Sequence, residues 1–504
     1  MAAYIYVSIC FRKTSSFPPS LMIDNLPTEL INAIDTYLDD EELLVLAMVS
    51  KRLHVIAITS YTARYKPACI MIDRMVYLCG SPFPLLKPLR MALFIHDLTH
   101  LDFDFESPIS GSDTVLSLKS LQRFIGHLST LSAVGFNFVR KRTGNHVEDQ
   151  KIKKAVGDLL ESLIGKRCSS LSLGGWCLHG EPLAISGVAS KRTDLPPQNI
   201  RPLTSLERVA VSRSDIHTQE HCKWLSDSMN LSHIRALTLR DVSFAAEIQT
   251  MRSFLRSLTL PSLTDFQIDS DDITFNELVE FLLRHKSIVY LKVGNHWSST
   301  SISLGMSTSL PTGLLPSLTK LELYPSCVSR FLASPISLPN LTTLIIEPGC
   351  LKWACELNES IISQHLEPLE QCFTLISSHR SITHIQIGLP GGLWSVDWLN
   401  SRINAPIERS VERTLEHILR VDINCLGLHD FHSDMDPLLM RWLANFPALK
   451  WVGFCLFYFG NTGTLTKRRR ALLAGIAKAC PTVLSVCIGL EQYDLYSYEL
   501  DERT

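Results

Sequence analysis

The sequence predicts an α/β protein in which three short N-terminal helices precede an irregular solenoid of parallel strands and helices. Two observations predict this fold. Apolar residues recur at helical spacing within residues 23–57. From residue 66 onward a Leu-x-x-Leu-x-Leu unit returns at a mean spacing of about 30 residues, which indicates stacked structural repeats. The predicted organisation is a tail over residues 1–20, a helical module over 21–65 and the solenoid over 66–504.

The first helix is predicted to begin at Pro27, because a first helical position does not need the missing N–H. One apolar face follows at Leu30, Ile31, Ile34 and Leu38. The acidic run 39–42 offers an N-cap and places negative charge at the positive end of a second helix. The apolar surface of that helix comprises Leu43, Leu44, Leu46, Ala47 and Val49.

Ser50 is predicted to cap a third helix, whose apolar stripe contains Leu53, Ile56 and Ala57. Three helices of this length cannot bury all of these side chains among themselves. Some apolar surface must therefore remain for a neighbour, either the rest of this chain or another polypeptide.

The order of these residues resembles the F-box. The family pattern is matched in turn by Leu26, Pro27, Glu29 and Leu30, by Ile34, Tyr37 and Leu38, by an acidic turn into Leu43 and Leu44, and by Val49 to Arg52. Glu42 stands where Asp is commoner, and Leu53 stands where an aromatic residue is common. The likeness is confined to residues 21–65.

The resemblance implies docking to the Skp adaptor, and through it to a cullin, in a ubiquitin ligase. The residues that it implies for adaptor binding are Leu26, Pro27, Leu30, Ile34, Leu38, Leu43, Leu44 and Val49. Some of them must pack inside the module. The alternative is an ordinary three-helix cap on a solenoid.

The repeated unit predicts a strand at thirteen places. They are 98–103, 131–136, 171–173, 206–211, 234–239, 263–268, 288–293, 318–323, 341–346, 382–387, 418–423, 449–454 and 483–488. Helices are predicted between many strands, as in 242–258, 274–286 and 471–479. A strand followed by a helix, repeated, gives parallel strands.

This second region resembles the leucine-rich repeat family, which F-box proteins often carry as their substrate-binding part. The family's asparagine ladder is absent, since the corresponding positions hold residues such as Asp271, Ser326 and Gly349. Another α/β arrangement, or separate globular domains, stays open. Residues 186–205 and 297–317 are predicted to be long surface loops.

Alternation along the strands predicts which side chains lie on the concave face, where a target protein would bind. They are Tyr290, Lys292, Lys320, Glu322, Tyr324, Arg420, Asp422 and Trp451. Aromatic residues and Arg are frequent anchors of interfaces.

Composition limits the partners and the cellular compartment that we expect for this protein. Lys and Arg total 48 against 50 Asp and Glu, and this balance gives no electrostatic case for nucleic acid or an anionic membrane. The fourteen cysteines lack paired C-x-x-C spacing, which indicates reduced thiols in the cytoplasm or nucleus. The apolar run at residues 2–10 lacks a basic segment before it, so we do not expect a signal peptide.

No catalytic set, metal site or cofactor is predicted. His96 and His100 have the spacing of a zinc pair on a helix, but this segment runs into a predicted strand. On a strand the two would be about 13 Å apart, too far to share one ion. The sequence therefore favours a substrate receptor of a Skp–cullin–F-box ligase. A non-ligase F-box scaffold, a plain solenoid that binds proteins, and an enzyme with a site spread over loops are the alternatives.

Overall fold

The computed structural model describes a long, mostly parallel sheet with helices between its strands. The described residues are 26–65, 69–79, 83–92, 94–105, 111–138, 146–174, 200–212, 219–240, 248–270, 273–294, 310–333, 338–347, 359–389, 393–404, 411–425, 435–455, 462–489 and 491–495. The predicted tail over 1–20 lies outside them, as do most of the two predicted loops.

The chain divides into two compact units. The first contains residues 1–132 and 143–166, and the second contains 133–142 and 167–504. The boundary predicted between residues 65 and 66 falls inside the first unit.

The first unit begins with three helices, α1 (Thr28–Asp35), α2 (Asp40–Leu46) and α3 (Lys51–Arg64). Both predicted caps on α2 and α3 are present. Asp39 accepts a hydrogen bond from the Glu42 N–H within a capping box, and the Ser50 hydroxyl accepts from the Leu53 N–H. The prediction for Pro27 is wrong by one residue. Its ψ of 145° is extended, so Pro27 is the N-cap and the helix begins at Thr28.

Further along the first unit, helices alternate with strands. The order is β1 (Cys69–Ile72), β2 (Met75–Cys79), α4 (Phe83–Met91), β3 (Asp97–Phe105), α5 (Gly111–His127) and α6 (His146–Glu161). Strand β1 pairs antiparallel with β2, and β2 pairs parallel with β3. His100 lies on β3, in agreement with the strand that the sequence predicts there.

The second unit repeats a strand and, in most repeats, a helix. Its strands are β4 (Thr130–Phe138, mostly in this unit), β5 (Ser170–Gly174), β6 (Arg208–Ser212), β7 (Ala236–Arg240), β8 (Asp265–Asp269), β9 (Tyr290–Val293), β10 (Lys320–Leu323), β11 (Thr343–Ile346), β12 (His384–Leu389), β13 (Arg420–Cys425), β14 (Trp451–Cys455), β15 (Ser485–Ile488) and β16 (Glu491–Asp494). They pair in chain order, parallel from β4 to β15 and antiparallel between β15 and β16.

The helices of the second unit are α7 (Gln219–Asn230), α8 (Ile248–Ser257), α9 (Phe275–Arg284), α10 (Pro325–Phe331), α11 (Glu359–Ser378), α12 (Leu393–Ile403), α13 (Met435–Leu443) and α14 (Thr462–Ala479). A capping box of Thr274 and Glu277 starts α9, within the helix predicted over 274–286. The helix predicted over 471–479 is the second half of the longer α14.

The repeated apolar unit supplies the core, and all thirteen predicted strands are present. The three apolar positions are all buried in the repeat at Leu318, Leu321 and Leu323, and the same holds one repeat later at Leu341, Leu344 and Ile346. Because all three positions lose contact with water in every repeat, each repeat contributes apolar burial to a continuous core.

Other polar side chains join neighbouring repeats where the asparagine ladder is missing. Arg284, at the end of α9, donates to the carbonyls of Leu255 (2.8 Å) and Leu258 (2.8 Å). The buried His285 accepts from the Leu260 N–H at 3.1 Å and donates to the Phe281 carbonyl at 2.8 Å. These bonds satisfy backbone groups at helix ends, which otherwise lack partners.

Asn230 makes a similar link between α7 and α8, although no ladder was predicted there. Its amide donates to the Ser257 carbonyl at 2.8 Å and accepts from the Thr259 N–H at 2.7 Å. The links between repeats come from three residue types, Arg284, His285 and Asn230, at positions that do not recur from repeat to repeat. The sequence therefore shows no regular polar ladder even though neighbouring repeats are joined.

A buried ion pair lies among the later helices. Arg402 of α12 donates through Nε and Nη2 to both carboxylate oxygens of Glu412 at 2.7 Å, and the Trp442 indole N–H donates to the same carboxylate at 3.2 Å. Burial opposes ionisation of Glu412, but the bonds from Arg402 keep its pKa below the usual range. Both Arg402 and Glu412 are buried, so we assign the pair to packing of the helices.

Candidate interaction surfaces

Five large apolar side chains between residues 28 and 49 of the N-terminal module are exposed to water. Their exposed fractions are 52% for Leu30, 88% for Tyr37, 60% for Val45, 76% for Met48 and 53% for Val49. These five residues are called the exposed apolar set. Because exposed apolar patches on soluble proteins commonly mark contact sites, the exposed apolar set is a candidate docking surface.

Helical spacing explains which side chains the module exposes. On α1, Leu30 is exposed while the next residue, Ile31, is fully buried, and Tyr37 follows two residues after the end of the helix. Val45 is on α2, and Met48 and Val49 follow three and four residues later, after that helix has ended. Each helix buries one face in the module, and the module is too small to cover the other.

Exposed residues of α1 and of the segment before α3 lie together at one end of the module. Arg52 Nη2 donates to Thr28 Oγ1 at 3.0 Å, so the start of α3 lies beside the start of α1. Met48 and Val49 come directly before the Ser50 cap of α3, and Leu30 is two residues after Thr28. Leu30, Met48 and Val49 therefore lie at the same end of the module.

Polar contacts hold the opposite end together. Arg64, in the last turn of α3, donates to the Leu38 carbonyl at 2.7 Å and to Asp40 at 3.1 Å. Tyr65 donates to the other oxygen of Asp40, and this bond raises the pKa of the Tyr65 hydroxyl well above its usual value. The turn between α1 and α2 is thus fixed against α3.

The residues predicted for adaptor binding fall into three groups. Pro27, Leu30 and Val49 are exposed, Leu26, Ile34 and Leu38 are partly exposed, and Leu43 and Leu44 are buried. The buried pair belongs to the core of the module, so it supports the surface without forming it. The sequence prediction omitted Tyr37, Val45 and Met48 from the contact set, because a helical pattern shows which residues share a face but not which face is covered.

The second candidate surface is the face of the sheet opposite the buried strand positions. We call it the polar sheet face. Between β6 and β14 it comprises Arg208, Ala210, Ser212, Ala236, Thr238, Arg240, Asp265, Gln267, Asp269, Tyr290, Lys292, Lys320, Glu322, Thr343, Ile345, Glu347, His384, Gln386, Arg420, Asp422, Asn424, Trp451 and Gly453.

A cluster around Lys292 occupies the middle of this face. Lys292 bonds to Glu322 and, at 2.7 Å, to Glu347, while the Tyr290 hydroxyl donates to Glu322. Burial opposes ionisation of Glu322, but hydrogen bonds from its neighbours hold its pKa below the usual range. Burial and the adjacent Glu322 raise the pKa of Glu347. Lys320 lies over the Tyr290 ring, 4.8 Å from its centroid.

A second cluster surrounds Asp422. His384 Nε2 donates to Asp422 Oδ2 at 2.8 Å, and Arg420 Nε lies 3.0 Å from both carboxylate oxygens. Burial opposes ionisation of this carboxyl, but the hydrogen bonds from His384 and Arg420 lower its pKa overall. A Cβ at Gly453 would lie 2.1 Å from Asp422 Oδ1, so glycine there makes room for the carboxylate.

Seven of the eight residues predicted for target binding lie on the polar sheet face. Lys320, Arg420 and Trp451 are exposed, Tyr290 and Lys292 are partly exposed, and Glu322 and Asp422 are buried. Tyr324 differs from the prediction. It follows the end of β10 and is the N-cap of α10, so it does not continue the strand alternation. Glu347 and His384, which complete the two clusters, were not predicted.

Within the described residues, no three or more His, Cys, Asp and Glu side chains are grouped to hold a metal ion. The helices of the described ranges include none with the length and apolar character to cross a membrane.

No family model matches this chain. No curated protein matches it either. Among solved structures, a structural-genomics crystal structure of a Bacteroides fragilis protein is similar over 57% of this chain, with 14% sequence identity and a TM-score of 0.28. The matched part covers 66% of the Bacteroides protein, just under two thirds of its length. At this TM-score we infer nothing from the likeness.

Proposed function

We propose that this protein is the substrate-recognition subunit of a Skp–cullin–F-box ubiquitin ligase. The observation that carries the proposal is the exposure of Leu30 and Val49, two residues of the F-box-like pattern, in a capped three-helix module. Tyr37, Val45 and Met48 are further exposed apolar residues of the same module. The adaptor is the proposed occupant, and the cullin is reached through it.

The proposed mechanism is tethering. The module binds the adaptor, and the polar sheet face of the second unit holds a target protein. Tethering raises the effective concentration of the target's lysines near a ubiquitin-charged enzyme, so this chain needs no catalytic group of its own. The protein would then act in the cytoplasm, the nucleus or both, where its partners are found.

Two features of the structure support a docking function for the module. Its turns are capped and tied by side-chain bonds, so the surface is formed before any partner arrives, and little ordering free energy is lost on binding. Large apolar side chains are exposed on it, while Arg64 and Tyr65 both bond to Asp40 within the module. Burial of such a surface by a partner is favourable by about 25 cal/mol per Å².

The test is affinity purification of the full chain from cells, followed by detection of the Skp adaptor and the cullin. We expect both to be captured, and we expect a set of proteins to accumulate when the chain is depleted. Capture of the adaptor without any cullin or any accumulating protein would favour the non-ligase scaffold. Failure to capture the adaptor would refute the proposal.

A further inference from the structure

The most exposed charges on the polar sheet face are positive. Of its five acidic residues, Glu322 and Asp422 are buried, and Asp265, Asp269 and Glu347 are only partly exposed. The charged residues of this face that are exposed are Arg208, Arg240, Lys320 and Arg420, and all four are cations. A partner that approaches the sheet therefore meets positive charge first, although the face as a whole is close to neutral.

The lower exposure of the acids has a structural cause. The side chain of Asp422 is 7% exposed, whereas that of its partner Arg420 is 46% exposed. Short acidic side chains stay close to the sheet and accept bonds from neighbours, while the longer Arg and Lys side chains extend past them. Lys320 likewise extends past its neighbour, with its ammonium group over the Tyr290 ring.

Strand register aligns three of these four cations. Arg208, Lys320 and Arg420 occupy the same register position on β6, β10 and β13, and Trp451 occupies it on β14. We call these four residues the cationic row. Strands lie about 4.8 Å apart, so neighbouring cations of the row are separated by roughly 14 to 19 Å. Trp451 is 40% exposed, next to Arg420.

We propose that the cationic row binds an acidic protein segment that lies across the strands. This inference rests on the proposed function and specifies its target class. The wide spacing fits carboxylates scattered along a polypeptide. A nucleic-acid strand carries a phosphate about every 3.4 Å along its axis, and a row this sparse would neutralise few of them. Trp451 supplies an apolar and aromatic anchor beside the charge.

The test uses the full chain and three fluorescein-labelled probes. They are a ten-residue peptide of alternating Glu and Ser, the same peptide with Lys in place of Glu, and a ten-nucleotide oligouridylate. Fluorescence anisotropy is read at low and at physiological ionic strength. We expect the Glu peptide to bind, the Lys peptide not to bind, and added salt to weaken binding, since exposed charges are screened.

The variants are Lys320→Glu with Arg208→Glu, and the milder Lys320→Gln with Arg208→Gln. We expect the charge reversal to lower affinity for the Glu peptide by at least about tenfold and the neutral pair to lower it less. Arg256→Glu with Lys286→Glu is the matched control, because it reverses two exposed cations of the same unit that lie off the polar sheet face. This control should bind as the parent does.

Three results would overturn the inference: no binding of the Glu peptide, binding that the reversal on the face leaves unchanged, or tighter binding of the oligouridylate than of the Glu peptide. Far-UV circular dichroism and the urea midpoint establish that each variant is folded. Capture of the Skp adaptor is measured on the same samples. A chain that captures the adaptor but not the peptide refutes this inference alone, and the reverse refutes the proposed function alone.

Discussion

The N-terminal helical module and the polar sheet face differ in the large side chains that they expose. The module leaves apolar groups such as Tyr37 and Met48 in water and keeps polar groups such as Asp40 bonded within itself. The sheet face leaves Lys320 and Arg420 in water and buries Asp422. Binding at the first surface should depend on apolar burial, and binding at the second should depend on salt.

In each region, some residues form the exposed surface and others hold that surface in place. In the module, support comes from Leu43 and Leu44, which are buried beneath the exposed residues. On the sheet face, support comes from acidic residues that accept hydrogen bonds from the longer cationic side chains and so hold them in place. Substitutions should therefore act differently in the two regions.

The largest expected effect concerns the core of the module. Leu43→Ala removes a fully buried side chain, and we expect it to lower the free energy of unfolding of the first unit by about 2 to 5 kcal/mol. Val49→Ala truncates an exposed residue and should change it by less than about 0.5 kcal/mol. Urea denaturation followed by circular dichroism measures both. Equal costs for the two variants would remove the distinction between support and surface.

The next effect concerns the carboxyl pair of the sheet face. Lys292→Met leaves Glu322 and Glu347 without their shared cation, and we expect a loss of about 1 to 3 kcal/mol at pH 7. Without Lys292 the folded-state pKa of these carboxyls should rise above the unfolded value of about 4.3. A raised carboxyl pKa destabilises the folded state as pH rises, so the loss should be smaller at pH 5 than at pH 7.

Urea denaturation of the parent and Lys292→Met at both pH values measures that difference. A loss that is the same at pH 5 and pH 7 would show that Lys292 acts only by packing. Lys286→Met is the control, since Lys286 is exposed and lies off the sheet face.

A smaller effect concerns acid sensitivity of the second unit. Burial lowers the pKa values of His285 and His379. A histidine with a lowered folded-state pKa stabilises the fold above its unfolded value of about 6.5, and this contribution is lost as pH falls through the folded pKa. We therefore expect stability to fall between about pH 7 and pH 5.5.

The variant His285→Gln removes one of these titrating groups and should flatten that pH dependence, measured as the urea midpoint at each pH. An unchanged slope would show that His285 is not linked to folding. The same substitution at His100, an exposed residue of the first unit, serves as the control.

The strands of the second unit could be predicted because each repeat carries the same apolar unit, and burying it is what aligns the repeats. Strands β1, β2 and β16 do not carry the unit and were missed. The links between repeats were also missed, since Asn230, Arg284 and His285 perform one task with three different side chains. No single residue type marks that task in the sequence.

Much of the two surfaces could also be predicted. Alternation on the strands gave seven side chains of the sheet face, since a strand's period of two leaves little freedom. It failed at Tyr324 because β10 ends one residue earlier. On the module, a helical pattern could not tell that Leu43 is covered and Met48 is not, because that depends on packing between helices.

The central claim is that the exposed apolar set binds the Skp adaptor. The direct measurement is the affinity of the purified adaptor for three purified chains by isothermal titration calorimetry: the parent, Leu30→Glu with Met48→Glu, and Leu116→Glu. Leu116 is an exposed leucine of α5 and is the control. Each buried apolar side chain contributes about 1.5 to 3 kcal/mol.

We expect the parent and Leu116→Glu to bind alike and the double variant to bind at least about 100-fold more weakly. Circular dichroism should show all three to be equally folded. Equal binding of all three chains, or no binding by the parent, would contradict the account.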